Sequence, residues 1–364
     1  MRSSAVSVPF VSIRVTLRSP SGETRIRDIV DGGWAEPMGT PRDELGARMW
    51  AVPGLVDAHA HLASDSLNFQ PGVLSGAQQR AREALVAGVT LILDKGWTDT
   101  TIVDVIRTVP EGQRPTIEAA ARIISVEGGY YRDFGLVTDP GDIARSVEIE
   151  AKAGAGWVKL AGDWPRRGRG PVSNFTESEL RQAVEAAEGV GAKIAIHTMA
   201  REMPSAAVAA GVHSIEHGLF LSEDDLETLG GRDGMWVPTL LRTETIITDL
   251  GSESSGGKLL REGLENIRPL LPLAIESGVN VLAGTDLVGT PANVADEAIR
   301  LHDYGLSAAS ALDAVTTGGF RATGRSEAFD IGSPADAVLF AEDPLTDLSI
   351  LKHPVAVIRL GRIL

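Results

Sequence analysis

The sequence predicts an α/β protein, a (β/α)8 TIM barrel with a small β-sandwich domain formed from both chain ends. Three observations lead there. Between about residues 51 and 286, eight short apolar runs alternate with amphipathic stretches, the rhythm of a parallel sheet wound with helices. Before and after this region the texture is short alternating runs broken by Gly- and Pro-rich turns. The length, 364 residues, suits one barrel of roughly 250 residues plus an appendage. The expected division gives residues 1–52 and 322–364 to the small domain and 53–321 to the barrel.

Each element has its own signal. Residues 8–50 read as β-rich, with VPFVSIRVTL, a Ser-Gly turn, then ETRIRDIVDGGW. The barrel strands are expected at 52–58, 89–94, 116–124, 157–162, 193–198, 214–217, 235–240 and 279–286. Helical patterns fall between them, at 75–88, 141–154 and 176–191. The last opens on Thr176 with Glu179 three residues later, a capping box, and closes near Gly191. Beyond the eighth strand, ANVADEAIRLHDYG and SAASALDAVTTGGF read as helices. FDIGSPADAVLFAEDPLTDL and AVIRLGRIL then return to strands and turns.

Composition limits the function. The chain is 43% hydrophobic and 23% charged, ordinary for a protein with a sizeable core. A formal net charge of -15 argues against nucleic acid or an anionic membrane surface as partner. There are no cysteines, so a metal would have to be held by His, Asp, Glu or a modified Lys. The first residues do not read as an export signal, and no run approaches the roughly 18 apolar residues of a membrane helix. A cytoplasmic protein acting on a small molecule is expected.

In a parallel barrel the active site lies at the C-terminal ends of the strands. Strand one ends in His59 and His61, which alternate and so face one way. Strand four carries Lys159, strand five ends in His197, strand six in His217 and strand eight in Asp286. Each alone has an ordinary reading: a surface turn, a snorkelling lysine, a hydrogen-bonded core histidine, a capping aspartate. Five such features in phase with the strands point instead to a metal centre.

The motifs PGLVDAHAHL (53–62), VKLAGD (158–163), IAIHT (194–198), SIEHG (214–218) and AGTD (283–286) resemble the amidohydrolase superfamily of metal-dependent hydrolases. SIEHG, MWVPTL and AGTD are most similar to its imidazolonepropionase-like and prolidase-like branch. The tail GSPADAVLFAEDPL (332–345) resembles the closing strands of that group's small domain. The resemblance implies two divalent metal ions, with zinc expected and manganese, cobalt or iron compatible. It implies that His59, His61 and Asp286 hold the more buried ion and that His197 and His217 hold the second. Lys159 would bridge them as an N-carboxylated lysine formed with carbon dioxide. A metal-bridged hydroxide would attack an amide carbonyl, with Asp286 carrying the proton to the leaving group.

Substrate is expected to be set by loops after the strands. VEGGYYRDFG (126–135) offers Tyr130, Tyr131 and Arg132 where related dipeptidases would carry a Gly-Gly-His segment. Arg132 could pair with a carboxylate and a tyrosine could stack or donate a hydrogen bond. DWPRRGRGP (163–171) is rich in arginine and could attract an anionic substrate or be a solvated loop. VPTLLRT (237–243) after strand seven offers Thr239 and Arg242, which could reach the pocket, although a structural role is the first expectation. The leading expectation is hydrolysis of an amide in an acylated amino acid or dipeptide-like molecule. The alternatives are a lactonase or cyclic-amide hydrolase, a mononuclear deaminase, and a non-catalytic binding module. Relatives often form homo-oligomers, but no interface is legible in the sequence.

Overall fold

The structure, a computed structural model, describes residues 13–41, 43–64, 70–166, 169–325 and 329–364. The expected β-run from residue 8 therefore falls partly outside the described residues, as does Arg167 of the arginine-rich loop.

The eight expected barrel strands are present in order. They are Leu55–Ala60, Val89–Asp94, Thr116–Ala119, Trp157–Ala161, Lys193–Thr198, Ser214–His217, Met235–Val237 and Asn280–Val281. Neighbours pair in parallel from the first to the third and from the fourth to the eighth. The third and fourth are stitched by Ala119 and Ala155, which exchange backbone hydrogen bonds at 2.9 and 2.7 Å. Strand eight closes on strand one, where Ala58 N–H donates to Ala283 O and Asp286 N–H to His59 O, both at 2.8 Å.

Three boundaries differ from expectation. The third run divides into Thr116–Ala119 and Ile123–Ser125, and the second piece pairs with strand four. Strand seven stops at Val237, because Thr239 takes a left-handed turn (φ 47°) and a helix starts at Leu240. The paired part of strand eight is only Asn280–Val281, although the chain continues beside strand one to Asp286.

The helix Glu177–Glu188 carries the expected capping box, with Thr176 Oγ1 accepting from Glu179 N–H. Two features went unread. After strand four, Asp163–Arg166 and Gly170–Ser173 pair as an antiparallel hairpin. After strand seven, Leu240–Leu250 is followed by a long helix, Ser255–Glu276.

Both chain ends share one mixed eight-stranded sheet. Ile13–Arg18 lies antiparallel to Thr24–Val30, and Trp50–Val52 lies antiparallel to Ala337–Phe340. This appendage has its own core around Val15, Leu17, Trp34, Leu339 and Ile358. The barrel core is larger and runs between strands and helices. Among the described residues no helix is long and apolar enough to cross a membrane.

Candidate metal centre

Strand one is irregular between Asp57 and Ala60, and its pairing with strand two shifts there. Asp57 holds the irregularity. Its Oδ1 accepts from His59 N–H at 3.0 Å and Thr285 N–H at 3.1 Å, and its Oδ2 accepts from Thr285 Oγ1 at 2.6 Å. Asp94, at the end of strand two, accepts from Leu62 N–H and Gly96 N–H at 2.6 and 2.8 Å. Two buried carboxylates thus clamp the chain on both sides of the histidine pair. Burial pushes each of them up to about 6.

The histidine tautomers follow from their partners. His59 Nδ1 lies 2.6 Å from Glu216 Oε2, and His61 Nδ1 lies 2.6 Å from the carbonyl oxygen of Gly96. Both partners accept only, so each Nδ1 carries the proton and each Nε2 keeps its lone pair. Those two Nε2 atoms stand 3.5 Å from the same oxygen, Asp286 Oδ1. Burial, the largest influence, takes His59 down to about 4, so it is neutral at pH 7. Lone pairs facing a carboxylate repel unless a cation lies between them. Ligand atoms about 2.1 Å from a tetrahedral zinc stand about 3.4 Å apart, close to the spacing found. His59, His61 and Asp286 also offer ligand atoms all within 4.8 Å of one another. The donor set fits a divalent metal.

The second pair is arranged differently. His197 Nδ1 and His217 Nε2 approach to 2.9 Å. His217 Nδ1 lies 2.6 Å from Thr239 Oγ1, which itself donates to Pro238 O. The hydroxyl must therefore accept from His217, leaving its Nε2 lone pair toward His197. Burial takes His217 down to about 3. Lys159 comes up beneath, 3% exposed, and its Nζ has no hydrogen-bond partner among the described residues. Burial lowers its pKa to about 8, with nearby Lys95 acting in the same direction. An amine that sheds its proton easily is what carbamate formation requires.

Several of these residues are conformationally strained. His217 (φ 64°), Thr239 (φ 47°), Asp286 (φ 39°) and Leu287 (φ 69°) are all left-handed without being glycine. Such positions cost of order 1–3 kcal/mol each and concentrate at functional sites. The turn at His217 also lets Glu216 and His217 both serve the site, which strict alternation would forbid.

A cavity of about 810 Å3 opens above the centre and includes His59, His61, Lys159, His197, His217 and Asp286. All six expected ligands therefore meet at one place. Tyr130 and Tyr131 join this cavity with Trp164, their ring centroids 4.5 to 5.0 Å apart. Burial, then Tyr131 and Asp286, push the Tyr130 hydroxyl well above its usual range, so it stays a donor. Arg132 does not join them. Its side chain is 95% exposed beside Asp133, outside the cavity, because Tyr130 and Tyr131 occupy the inward positions of the loop.

A model of the amidohydrolase family matches residues 50–364. The chain belongs to the amidohydrolase family. An uncharacterised protein of Mycobacterium tuberculosis is 31% identical over 343 residues, covering 92% of this chain and 90% of its own. Ochratoxinase of Aspergillus niger is 23% identical over 359 residues, covering 84% of this chain and 73% of its own. Among solved structures, a Xaa-Pro dipeptidase with bound methionine shares the fold, with a TM-score of 0.81 at 21% identity, covering 97% of this chain and 98% of that one. As a member of this family the protein is a metal-dependent hydrolase acting on carbon–nitrogen bonds.

This amidohydrolase has supporting residues that sequence reasoning missed. Glu216 links His59 to Lys95, whose Nζ is 3.1 Å away and sits over the Trp157 ring. Asp163, in VKLAGD, accepts from Met199 and Ala200 N–H and points its other oxygen toward His197 Nε2 at 3.9 Å. Burial pushes it up to about 7. Arg242 was not missed but ranked as structural ahead of its pocket role, and it lines the cavity. The available signal was a charged residue inside an apolar strand, as in ILDKG and SIEHG.

Proposed function

We propose that this amidohydrolase cleaves an amide bond in an acylated amino acid or dipeptide-like molecule, using two divalent ions held at this centre. The observation that carries the reading is the convergence of the His59 and His61 lone pairs on Asp286, with Lys159 unpartnered alongside. In this reading residues 53–321 carry the chemistry and residues 1–52 with 322–364 form the supporting domain. His59, His61 and Asp286 would hold one ion and His197 and His217 the other, with Lys159, carboxylated, as a ligand shared between them. Zinc suits this imidazole and carboxylate set. When bound, the ions lower the pKa of water and polarise a carbonyl oxygen.

The chain's own groups supply the rest. Asp286 accepts the proton of the attacking water and returns it to the leaving nitrogen. Tyr130 and Tyr131, on the cavity wall, hold the acyl portion of the substrate. Glu216 and Gly96 keep the imidazoles in the tautomer that binds metal.

The first test is metal per chain on protein expressed with zinc and bicarbonate, followed by a screen of acyl amino acids, dipeptides and lactones. About two ions per chain and amide turnover are expected. Cleavage of lactones or esters without any amide would overturn the substrate reading. One ion per chain would remove the bridging role of Lys159 and favour single-metal deamination. No metal would leave a binding module.

A further inference from the structure

Arg242 has no partner equal to its charge. It lies in the first turn of Leu240–Leu250, nine-tenths buried, and faces the cavity. Its guanidinium makes no hydrogen bond among the described residues. Its one ion-pair contact is Nε to Asp286 Oδ2 at 3.9 Å, beyond hydrogen-bond reach. Of the two other cavity arginines, Arg169 is exposed, and Arg166 donates to Asn174 Oδ1 through Nη2 while its buried Nε has no hydrogen-bond partner among the described residues. A guanidinium offers five donors and cannot lose its proton. The nitrogens of Arg242 are not sealed off but open to the cavity, where an anion brought by a ligand would accept from them.

The surroundings define that ligand. Arg242, Ile246 and Leu250 are spaced four apart on one helical face, and all three line the cavity. Leu259 and Leu260 of the next helix extend the same wall. The wall beside the cation is therefore aliphatic, while the aromatic wall of Tyr130, Tyr131 and Trp164 comes from the loops after strands three and four. Arg242 also stands beside the residue that handles the proton at the scissile nitrogen. In an N-acylated α-amino acid the carboxylate carbon lies about 2.5 Å from that nitrogen. A carboxylate farther along the molecule would be carried away from Arg242.

We propose that Arg242 receives a free carboxylate on the carbon next to the scissile nitrogen, and that Ile246 and Leu250 receive an apolar side chain on that carbon. The substrate class is then an N-acylated apolar α-amino acid, with the acyl group on the aromatic wall. This rests on the amide-hydrolase reading above. In the reaction the C–N bond breaks, the oxygen of water joins the acyl carbon, one proton goes to the amine, and the other leaves from the new carboxylic acid.

The test compares N-benzoylleucine with N-benzoylisoamylamine, the same molecule without its carboxylate, on zinc-loaded wild type, Arg242→Met and Arg242→Lys. Wild type should prefer the free acid in kcat/KM by at least about 30-fold, the scale of a desolvated charge pair. The preference should collapse in Arg242→Met through KM and return in part in Arg242→Lys. Equal use of both compounds by wild type would overturn the carboxylate site and leave amide hydrolysis standing. An equal loss on both compounds in Arg242→Met would also overturn it, since Arg242 would then act through Asp286. If neither is cleaved, calorimetry with N-benzoylleucine decides. Binding that depends on Arg242 supports the site while the amide reading fails, and absence of binding overturns the site.

Discussion

Two pairs of histidines meet in this molecule, and the chain holds them differently. His59 and His61 each have Nδ1 beside an acceptor, Glu216 Oε2 on strand six across the barrel or Gly96 O just after strand two. Beneath them Asp57 and Asp94 fix the backbone. His197 and His217 instead approach each other, and only His217 has a side-chain acceptor behind it, Thr239. Near them Lys159 Nζ and Asp163 Oδ1 are buried without hydrogen-bond partners among the described residues, as are His59 Nδ1, Glu216 Oε2 and Lys95 Nζ on the first side, where close ion-pair contacts stand in. The first pair is held by groups on other strands, and the second chiefly by the contact between its two rings and by Thr239.

The sharpest way to break the comparison is at the organised pair. His59→Asn keeps a polar side chain but loses the Nε2 lone pair. Turnover should fall by more than the about 100-fold that loss of an outer partner costs, and bound metal should drop. Initial rates and metal per chain measure both. Unchanged turnover would end the assignment.

Lys159→Met tests the other pair. Metal should fall from two ions per chain to one. A carbamate resonance from 13C-labelled bicarbonate should be present in wild type and absent in the variant. In metal-free protein the variant should be at least as stable as wild type, because an unpaired buried polar group costs about 1–3 kcal/mol. A lower Tm than wild type under those conditions would show that Lys159 already has a stabilising role without modification.

Glu216→Gln probes the support under the first pair. It should weaken metal binding by roughly 10–100-fold in a chelator competition, since His59 loses its charged acceptor and Lys95 its counter-ion. The His197/His217 side should keep its metal.

These differences also explain what was legible in the sequence. Strand phase and terminal histidines are periodic features, so six separated residues could be assembled from spacing alone. Glu216 was hidden because the left-handed turn at His217 breaks the alternation that sorts inward from outward residues. Arg242 was legible as a residue that could reach the pocket but was ranked as structural, because strand seven ends early and a helix begins, so a residue read as following a strand lies on a helical face. Arg132 was over-read for the opposite reason. It is adjacent to two buried tyrosines, yet in an irregular loop adjacency says nothing about direction. The hairpin after strand four carries too few apolar residues to announce itself as paired strands.

The smallest effect concerns Glu297, which supports the second pair at one remove. Its carboxyl accepts from Leu240 N–H at 2.6 Å and Leu241 N–H at 3.1 Å, fixing the turn that carries Thr239 and Arg242. Burial pushes its pKa up to about 8, against the stabilising pull of those two N–H groups. An acid with a raised folded pKa holds a proton that the unfolded chain has already released. Between an ordinary glutamate pKa of about 4.3 and about 8, the unfolded chain binds fewer protons, so this group's contribution falls as pH rises. It is fully present below that window and flat above it. Glu297→Gln cannot titrate, while other groups cancel in the difference. The Tm advantage of wild type over Glu297→Gln should therefore be greatest near pH 5 and shrink toward pH 8, measured on metal-free protein. A pH-independent difference would mean that Glu297 is ionised throughout, held by the helix N–H groups in spite of its burial. Neither pair of histidines would then depend on a protonated support.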